Sequence, residues 1–354
     1  MNLRPALIAI LFSMGLTATS VADDAPLLIL DDALSLAKAQ NLQLKNADLQ
    51  INVVEEQKKA VESKQFPQLS AHVRGLQNFV DNEYTFEQGS LGTVGGLPVP
   101  SSNVSIDTTN GFTTHYSLTA TQPLVGLYEI GLNVDKLKTE QEIARQQSRQ
   151  TEQSVTLQVK QLYYQILSDE SAIEATKSSI RFHEELVKIL KDNVAQKTEL
   201  EYQLLNGEAQ LASTRHQLFV QQNDILTAKQ QLNVLLGREI STPFRVSPAK
   251  ASPSVAFNPD DAADQAIARR PETMQARLQV EAAETGIEIE KSAYLPEVNL
   301  MASYGRSENT TLLPDESMYV GLIAKWDFFT WGGNASNVAG SRLALKQALN
   351  SLRD

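Results

Sequence analysis

Between Leu127 and Leu236 the chain has no proline, and its only glycines there are Gly131 and Gly207. Inside that stretch Val159, Ile166, Ile173, Ile180, Val187 and Val194 recur every seventh residue, and Leu204, Leu211, Leu218, Ile225 and Leu232 do the same. A sustained seven-residue apolar repeat marks long helices packed along one stripe. The two series are out of phase, because the seventh residue past Val194 is Glu201. The phase break predicts a turn near Lys197-Thr198-Glu199 joining two antiparallel helices. One continuous helix with a slipped register is the alternative. The first helix would hold about 68 residues and reach roughly 100 Å at 1.5 Å per residue. A compact domain of this size cannot contain it, so a tall, thin object is expected.

The flanks of this stretch resemble each other. With an offset of 229, Asp31, Asp32, Ala33, Ala37 and Ala39 fall on Asp260, Asp261, Ala262, Ala266 and Ala268. Ala47, Leu49, Gln50, Glu55, Ser63 and Pro67 fall on Ala276, Leu278, Gln279, Glu284, Ser292 and Pro296. That is 11 identities in 37 ungapped positions, and it predicts two internal repeats. Each opens with a short helix started by Asp31 or Asp260, where an Asp side chain can cap free N–H groups. Each breaks at Asn41 or at Arg270-Pro271, and a helix of about 25 residues then runs to the shared proline.

After each proline the apolar period changes from 3.6 to 2. Leu69, Ala71 and Val73 alternate with Ser70, His72 and Arg74; Phe112, Tyr116, Leu118 and Ala120 alternate with Thr113, His115, Ser117 and Thr119. In the second repeat Val298, Leu300, Ala302 and Tyr304 alternate with Asn299 and Ser303, and Val320, Leu322, Ala324 and Trp326 with Gly321 and Lys325. Four strands of about 9–11 residues are expected, the length of a tilted strand crossing a bilayer. Alternation alone also fits a half-buried soluble hairpin. A long glycine-bearing loop, roughly Asp81 to Gly111, joins the first pair and reads as a flexible surface loop. A shorter polar loop, Ser307 to Ser317, joins the second.

Residues 1–22 combine a basic start, an apolar run from Pro5 to Leu16 and small residues at Ser20 and Ala22. This is a secretory signal pattern with cleavage expected after Ala22. The run is too short to span a bilayer as a helix, and no later stretch reaches the roughly 20 apolar residues needed. Any membrane insertion must therefore use β-strands. The 354 residues hold no cysteine, which excludes thiolate metal sites, iron–sulfur clusters, cysteine nucleophiles and cysteine-anchored lipoproteins. With 42 acids against 31 bases the net charge is −11, which disfavours nucleic acid as a partner. The histidines His72, His115, His183 and His216 lack metal-ligand spacing, and no nucleophile–base pair or cofactor motif stands out. Neither an enzyme nor a cofactor is expected.

Four strands cannot close a barrel in a bilayer, where the smallest barrels have eight, and an open sheet would leave edges unsatisfied in lipid. Copies must pool their strands. Two chains give eight strands with a side-chain-filled interior. Three give twelve and room for water. The fold class is then mainly α with transmembrane β hairpins: long antiparallel coiled-coil helices, plus four strands per chain contributing to a shared twelve-strand barrel. The candidate lumen-facing residues are Ser70, His72, Arg74, His115, Ser117, Thr119, Asn299, Ser303 and Lys325. Residues 1–22 form the signal. Residues 23–256 form the first repeat, with a β hairpin over 68–124 and the helical hairpin over 127–237. Residues 257–354 form an incomplete second repeat, with a β hairpin over 297–328 and the start of a descending helix.

The sequence resembles the TolC-type outer-membrane efflux family. The resemblance rests on Leu30-Asp31-Asp32-Ala33-Leu34 with Ala37, Phe66-Pro67-Gln68-Leu69, Gln122-Pro123-Leu124 and Leu235-Leu236-Gly237. In the second repeat it rests on Ala268-Arg269-Arg270-Pro271-Glu272, Tyr294-Leu295-Pro296-Glu297-Val298 and Trp326-Asp327-Phe328-Phe329 with Gly332-Gly333. It implies a homotrimer in the Gram-negative outer membrane with a helical tunnel in the periplasm. It also implies a periplasmic adaptor protein and an inner-membrane transporter as partners, with no cofactor. The protein would be the exit duct of a tripartite efflux or type I secretion system. A soluble periplasmic coiled-coil adaptor or scaffold is the alternative, which leaves the strand hairpins unexplained. The family's adaptor contact maps to Lys197, Thr198, Glu199 and Leu200, at a turn where the family often carries Gly. Only 24 residues follow Thr330, so a C-terminally truncated member is expected. The missing half-hairpin would carry further tunnel staves and the gate residues.

Overall fold

The computed structural model describes residues 25–80, 83–107, 109–198, 200–248, 259–310 and 314–353. The signal at 1–22, Glu199 and the boundary between residues 256 and 257 lie outside the described residues. In chain order the elements are β1 (Leu27–Leu28), α1 (Leu30–Gln40), α2 (Leu42–Glu62), β2 (Gln68–Gln77), β3 (Glu83–Phe86), β4 (Thr93–Val94), β5 (Leu97–Pro98), β6 (Val104–Asp107) and β7 (Thr109–Pro123). Then come α3 (Gly126–Ala195), α4 (Glu201–Leu235), β8 (Arg245–Val246), α5 (Pro259–Arg269), α6 (Pro271–Ser292), β9 (Glu297–Thr310), β10 (Glu316–Lys325) and α7 (Gly333–Arg353). The chain is mainly helical.

Among the described residues one compact unit takes those up to Leu42 with those from Glu152 to Pro248. In it α3 and α4 run antiparallel. Glu184 pairs with Arg215 at 2.7 Å and Glu170 with Lys229 at 3.1 Å, so a step along α3 is matched by an equal step back along α4. The predicted stripes supply the contact. Val159, Ile166 and Leu232 are fully buried, and Ile173 and Leu211 nearly so. Thus the phase break is a turn, and the single slipped helix is excluded. Ala33 and Ala37 give α1 a small-residue face that is buried. Beside them Leu27–Leu28 pairs in parallel with Arg245–Val246. The Tyr163 hydroxyl lies 3.0 Å from the Leu28 carbonyl and 2.8 Å from that of Ser247, and accepts the Ser247 N–H at 3.2 Å. Burial pushes the Tyr163 phenol up from its ordinary value.

The expected Asp31 cap is not formed. The N-cap of α1 is Ile29, with no side-chain hydrogen bond, and Asp31 and Asp32 sit in the first turn. There a carboxylate acts through the helix dipole rather than as a cap. The helix α5 begins at Pro259, one residue before Asp260.

The second unit takes Gln43–Thr151 with the described residues from 259 on. It holds a four-stranded antiparallel sheet in the order β10-β9-β7-β2. The strands β2, β7, β9 and β10 have 10, 15, 14 and 10 residues. Both hairpins are the predicted ones, and β7 pairs with β9 to join them. The first loop differs from expectation. Glu83–Phe86 pairs with Val104–Asp107, and Thr93–Val94 with Leu97–Pro98, so the segment carries two small ladders. The second loop is shorter than expected, because β9 continues to Thr310 and Ser307 N–H donates to the Asp315 carbonyl at 2.9 Å. At the other end of the sheet α6 packs on α7, and Thr139 of α3 reaches Glu281 of α6 at 3.3 Å.

Candidate functional site

Residues directly opposed on antiparallel strands project to the same face. The register therefore composes the sheet face row by row. Ser70, Thr119, Ser303 and Tyr319 form one row; His72, Ser117, Gly305 and Ser317 form the next. Arg74, His115 and Ser307 form the row nearest the loops. Toward the helices, Asn299 stands between Pro123 and Ile323, and Glu297 stands opposite Lys325. All nine residues singled out from the sequence share this face. Its polar groups bond across strands: Thr119 Oγ1 to Ser303 Oγ at 3.1 Å, and His115 Nδ1 to Ser307 Oγ at 3.0 Å. Met301 and Ile323 also lie on it, which the alternation did not flag.

The opposite face is apolar. Leu69, Ala120, Ala302 and Val320 make one row, and Ala71, Leu118, Tyr304 and Met318 another. Leu69, Val73 and Met318 are 75%, 71% and 79% exposed, so these side chains lack the cover a soluble sheet would give them. The sequence reading missed an ion cluster at its loop end. Arg306 pairs with Glu316 at 3.2 Å and with Glu308 at 3.5 Å. At the helix end Trp326, Phe328, Phe329 and Trp331 are exposed, and Trp326 Nε1 donates to the Tyr294 carbonyl at 3.1 Å. Aromatics of this kind gather where a barrel meets the membrane–water interface.

At this end a groove of about 640 Å³ opens beside Lys64, Glu129, Asn299 and Lys325. Lys325 Nζ pairs with Asp327 at 3.0 Å, and Asn299 Nδ2 donates to Glu297 at 3.0 Å. Among the described residues no group of three potential ligands could hold a metal ion, and no helix is long and apolar enough to cross a membrane.

The sequence profile of the outer membrane efflux proteins matches residues 33–238 and 262–354. The chain belongs to the outer membrane efflux protein family. It is 20% identical over 273 residues to the probable outer membrane lipoprotein SilC of Salmonella typhimurium, an alignment covering 69% of this chain and 57% of SilC. The chain thus spans little more than half the length of that relative. Its fold matches the outer membrane protein VceC of Vibrio cholerae with a TM-score of 0.69 at 14% identity, over 92% of this chain and 74% of VceC. It matches the CmeC outer membrane channel of Campylobacter jejuni with a TM-score of 0.73 at 14% identity, over 92% of this chain and 66% of CmeC.

In this family member the helical hairpin turns at the expected place. Lys197 takes φ 60, a left-handed conformation that favours glycine. Its N–H donates to Val194 O at 3.0 Å, and the Thr198 N–H and Oγ1 both donate to Asn193 O at 3.0 Å. That pair of backbone bonds is a Schellman closure. Leu200 is the N-cap of α4 and 63% exposed. The turn therefore brings Lys197, Thr198 and Leu200 together.

Proposed function

We propose that the chain is one stave set of an outer-membrane exit duct. Three copies pool their sheets into a twelve-strand barrel whose polar face lines water and whose apolar face meets lipid. One observation carries this. The sheet ends in β2 and β10, each paired on one side only among the described residues, while its apolar face is exposed. Unpaired edges and uncovered apolar side chains are both costly, and barrel closure in lipid resolves both together. Twelve strands leave a water-filled bore, which eight do not. The order helix, helix, hairpin, long helix before Leu200, followed by helix, helix, hairpin, helix after Pro259, supports two copies of one unit.

The duct works by geometry. Energy comes from an inner-membrane pump, and a periplasmic adaptor docks at the helical tip around Lys197, Thr198 and Leu200. The probable lipoprotein and channel relatives support an outer-membrane location.

Fractionation of cells producing the protein tests this. A heat-modifiable trimer in the outer membrane is expected. Release of a monomer by osmotic shock would place it among soluble periplasmic scaffolds.

A further inference from the structure

The helical hairpin has two unlike sides. On α3 the residues one step after the packed stripe of Val159, Ile166, Ile173, Ile180 and Val187 are Lys160, Leu167, Glu174, Arg181 and Lys188. Those one step before it are Gln158, Gln165, Ala172, Ser179 and Leu186. On α4 the residues one step before Leu204, Leu211, Leu218 and Leu232 are Gln203, Gln210, Gln217 and Gln231. One residue turns a helix by about 100°, so the two sets leave on opposite sides. Glu184, Glu170, Arg215 and Lys229 each stand four residues past a stripe residue, and their ion pairs bridge the helices on the first side. The other side is built of amides. Among the described residues of this hairpin, Asp169 and Asp224 are the charges there, and Asp169 accepts from Gln165 Nε2 at 2.8 Å. A groove of about 540 Å³ on this side is lined by Gln158, Gln161, Gln165 and Gln231 with Leu162 and Val234.

Each helix also carries a second apolar seam that its hairpin partner leaves uncovered. On α3 the exposed Leu157, Tyr164, Phe182 and Ile189 stand two residues either side of the stripe, directly opposite it. On α4 the second seam leans. Leu205, Phe219 and Leu226 are exposed and each follows a stripe residue by one, on the ion-pair side. The buried contact of α4 leans the other way. Thr214 and Ala228, three past the stripe, are buried, and a Cβ on Gly207 would meet Leu190 Cδ1 at 3.1 Å and Val187 Cγ2 at 3.5 Å. With Tyr202 included, the two seams of α4 subtend about 150° across the ion-pair side and about 210° across the amide side.

We infer that the ion-pair side of the hairpin lines the bore of the duct and that the amide side faces outward. This rests on the duct reading above. In a closed tube of rods standing side by side, the two contact seams of each rod subtend less than a straight angle on the inside. For α4 the inside is then the ion-pair side. Desolvation points the same way. Charged side chains keep their water in a wet bore, whereas the outside is where another protein can cover the helices. The cores of such contacts exclude charge, and burying a hydrogen-bonded amide costs far less than burying a lone ion. Passing solutes therefore meet hydrated charges of both signs, the Glu170–Lys229 and Glu184–Arg215 pairs among them, in every copy.

The chain has no cysteine, so a single cysteine placed on either side is a unique labelling site. Arg181→Cys and Gln222→Cys, the latter four residues past Leu218, mark the ion-pair side. Gln210→Cys and Gln217→Cys mark the amide side, and all four positions are exposed. Each variant of the full-length protein is recorded in planar bilayers before and after reaction with a polyethylene-glycol maleimide, and a gel shift confirms the label. A stepwise loss of conductance is expected for the first pair and none for the second. Gln217→Cys against Gln222→Cys is the critical comparison, since both make the same change on the same helix. Block from the amide side alone, from both sides or from neither overturns the facing and leaves the duct intact. Failure of the unmodified protein to conduct overturns the duct reading, and the facing with it.

Discussion

Gly237 lies so close to Gln40 that a Cβ placed on it would stand 2.6 Å from the Gln40 carbonyl oxygen. This glycine ends α4 at φ 66. Its N–H donates to Val234 O at 3.1 Å and that of Arg238 to Asn233 O at 2.9 Å. Asn41, just past α1, donates its side-chain amide to the Leu235 carbonyl at 2.8 Å. The end of one helix is thus locked to the end of another through backbone. Gly237→Ala must pay left-handed strain of about 1–2 kcal/mol and also displace backbone, since no flexible side chain is there to yield. Gly92→Ala, at φ 94 with nothing within 4 Å of its Cβ, carries the strain alone. Thermal melts of the detergent-solubilised protein should place Gly237→Ala clearly below Gly92→Ala. Equal melting temperatures would show that the close approach relaxes freely.

The turn at Lys197 shows the converse case. It uses the same backbone closure as Gly237 but with a lysine at the left-handed position. Lys197→Gly should remove strain and stabilise the hairpin by about 1 kcal/mol. Proteolysis at the tip should slow accordingly. If docking uses the lysine charge, adaptor pull-down weakens in the same variant, which separates the two roles of one residue.

Tyr163 is nearly fully buried and its hydroxyl bridges the two short parallel strands β1 and β8. Tyr163→Phe keeps the ring and removes the phenolic donor from the Leu28 and Ser247 carbonyls, while the Ser247 N–H keeps the Leu28 carbonyl at 3.1 Å. A loss of about 1 kcal/mol is expected, the usual net worth of a hydrogen bond. Faster amide exchange at Ser247 and its neighbours should accompany it, while the helical hairpin beyond Ile173 stays unchanged.

Much of this was legible in the residues because long elements repeat their signal. The heptads located α3, α4 and the turn between them to within a few residues. The period-2 alternation placed four strands and put Ser70, Ser117 and Ser303 each at the polar parity of its own strand. Short elements were not legible. Glu83-Tyr84-Thr85-Phe86 has too few residues for alternation to rise above chance, and its partner Val104–Asp107 lies far along the chain. Arg306 was missed because it interrupts an apolar parity at a strand's end, where only its cross-strand partner Glu316 explains a charge. Asp31 was misassigned as a cap since sequence does not say which residue first takes helical dihedrals. Met301 and Ile323 escaped notice because each breaks the polar parity of its strand singly, and only the register puts them on the polar face.

Neighbouring residues of β7 test the facing of the sheet. Ser117 lies in the polar row between His72 and Gly305, and Leu118 in the apolar row between Ala71 and Tyr304. An arginine facing lipid near mid-bilayer costs about 2–4 kcal/mol, whereas one facing water costs little. Ser117→Arg should therefore assemble normally, narrow the bore and lower single-channel conductance. Leu118→Arg should insert poorly, with less heat-modifiable oligomer in the outer membrane and unchanged conductance in whatever channels form. The two substitutions add the same side chain one residue apart, so helix packing, export and net charge are matched between them. Similar insertion defects in both would mean that neither face of this sheet meets water, and reversed defects would mean that the polar and apolar faces have been assigned to the wrong sides.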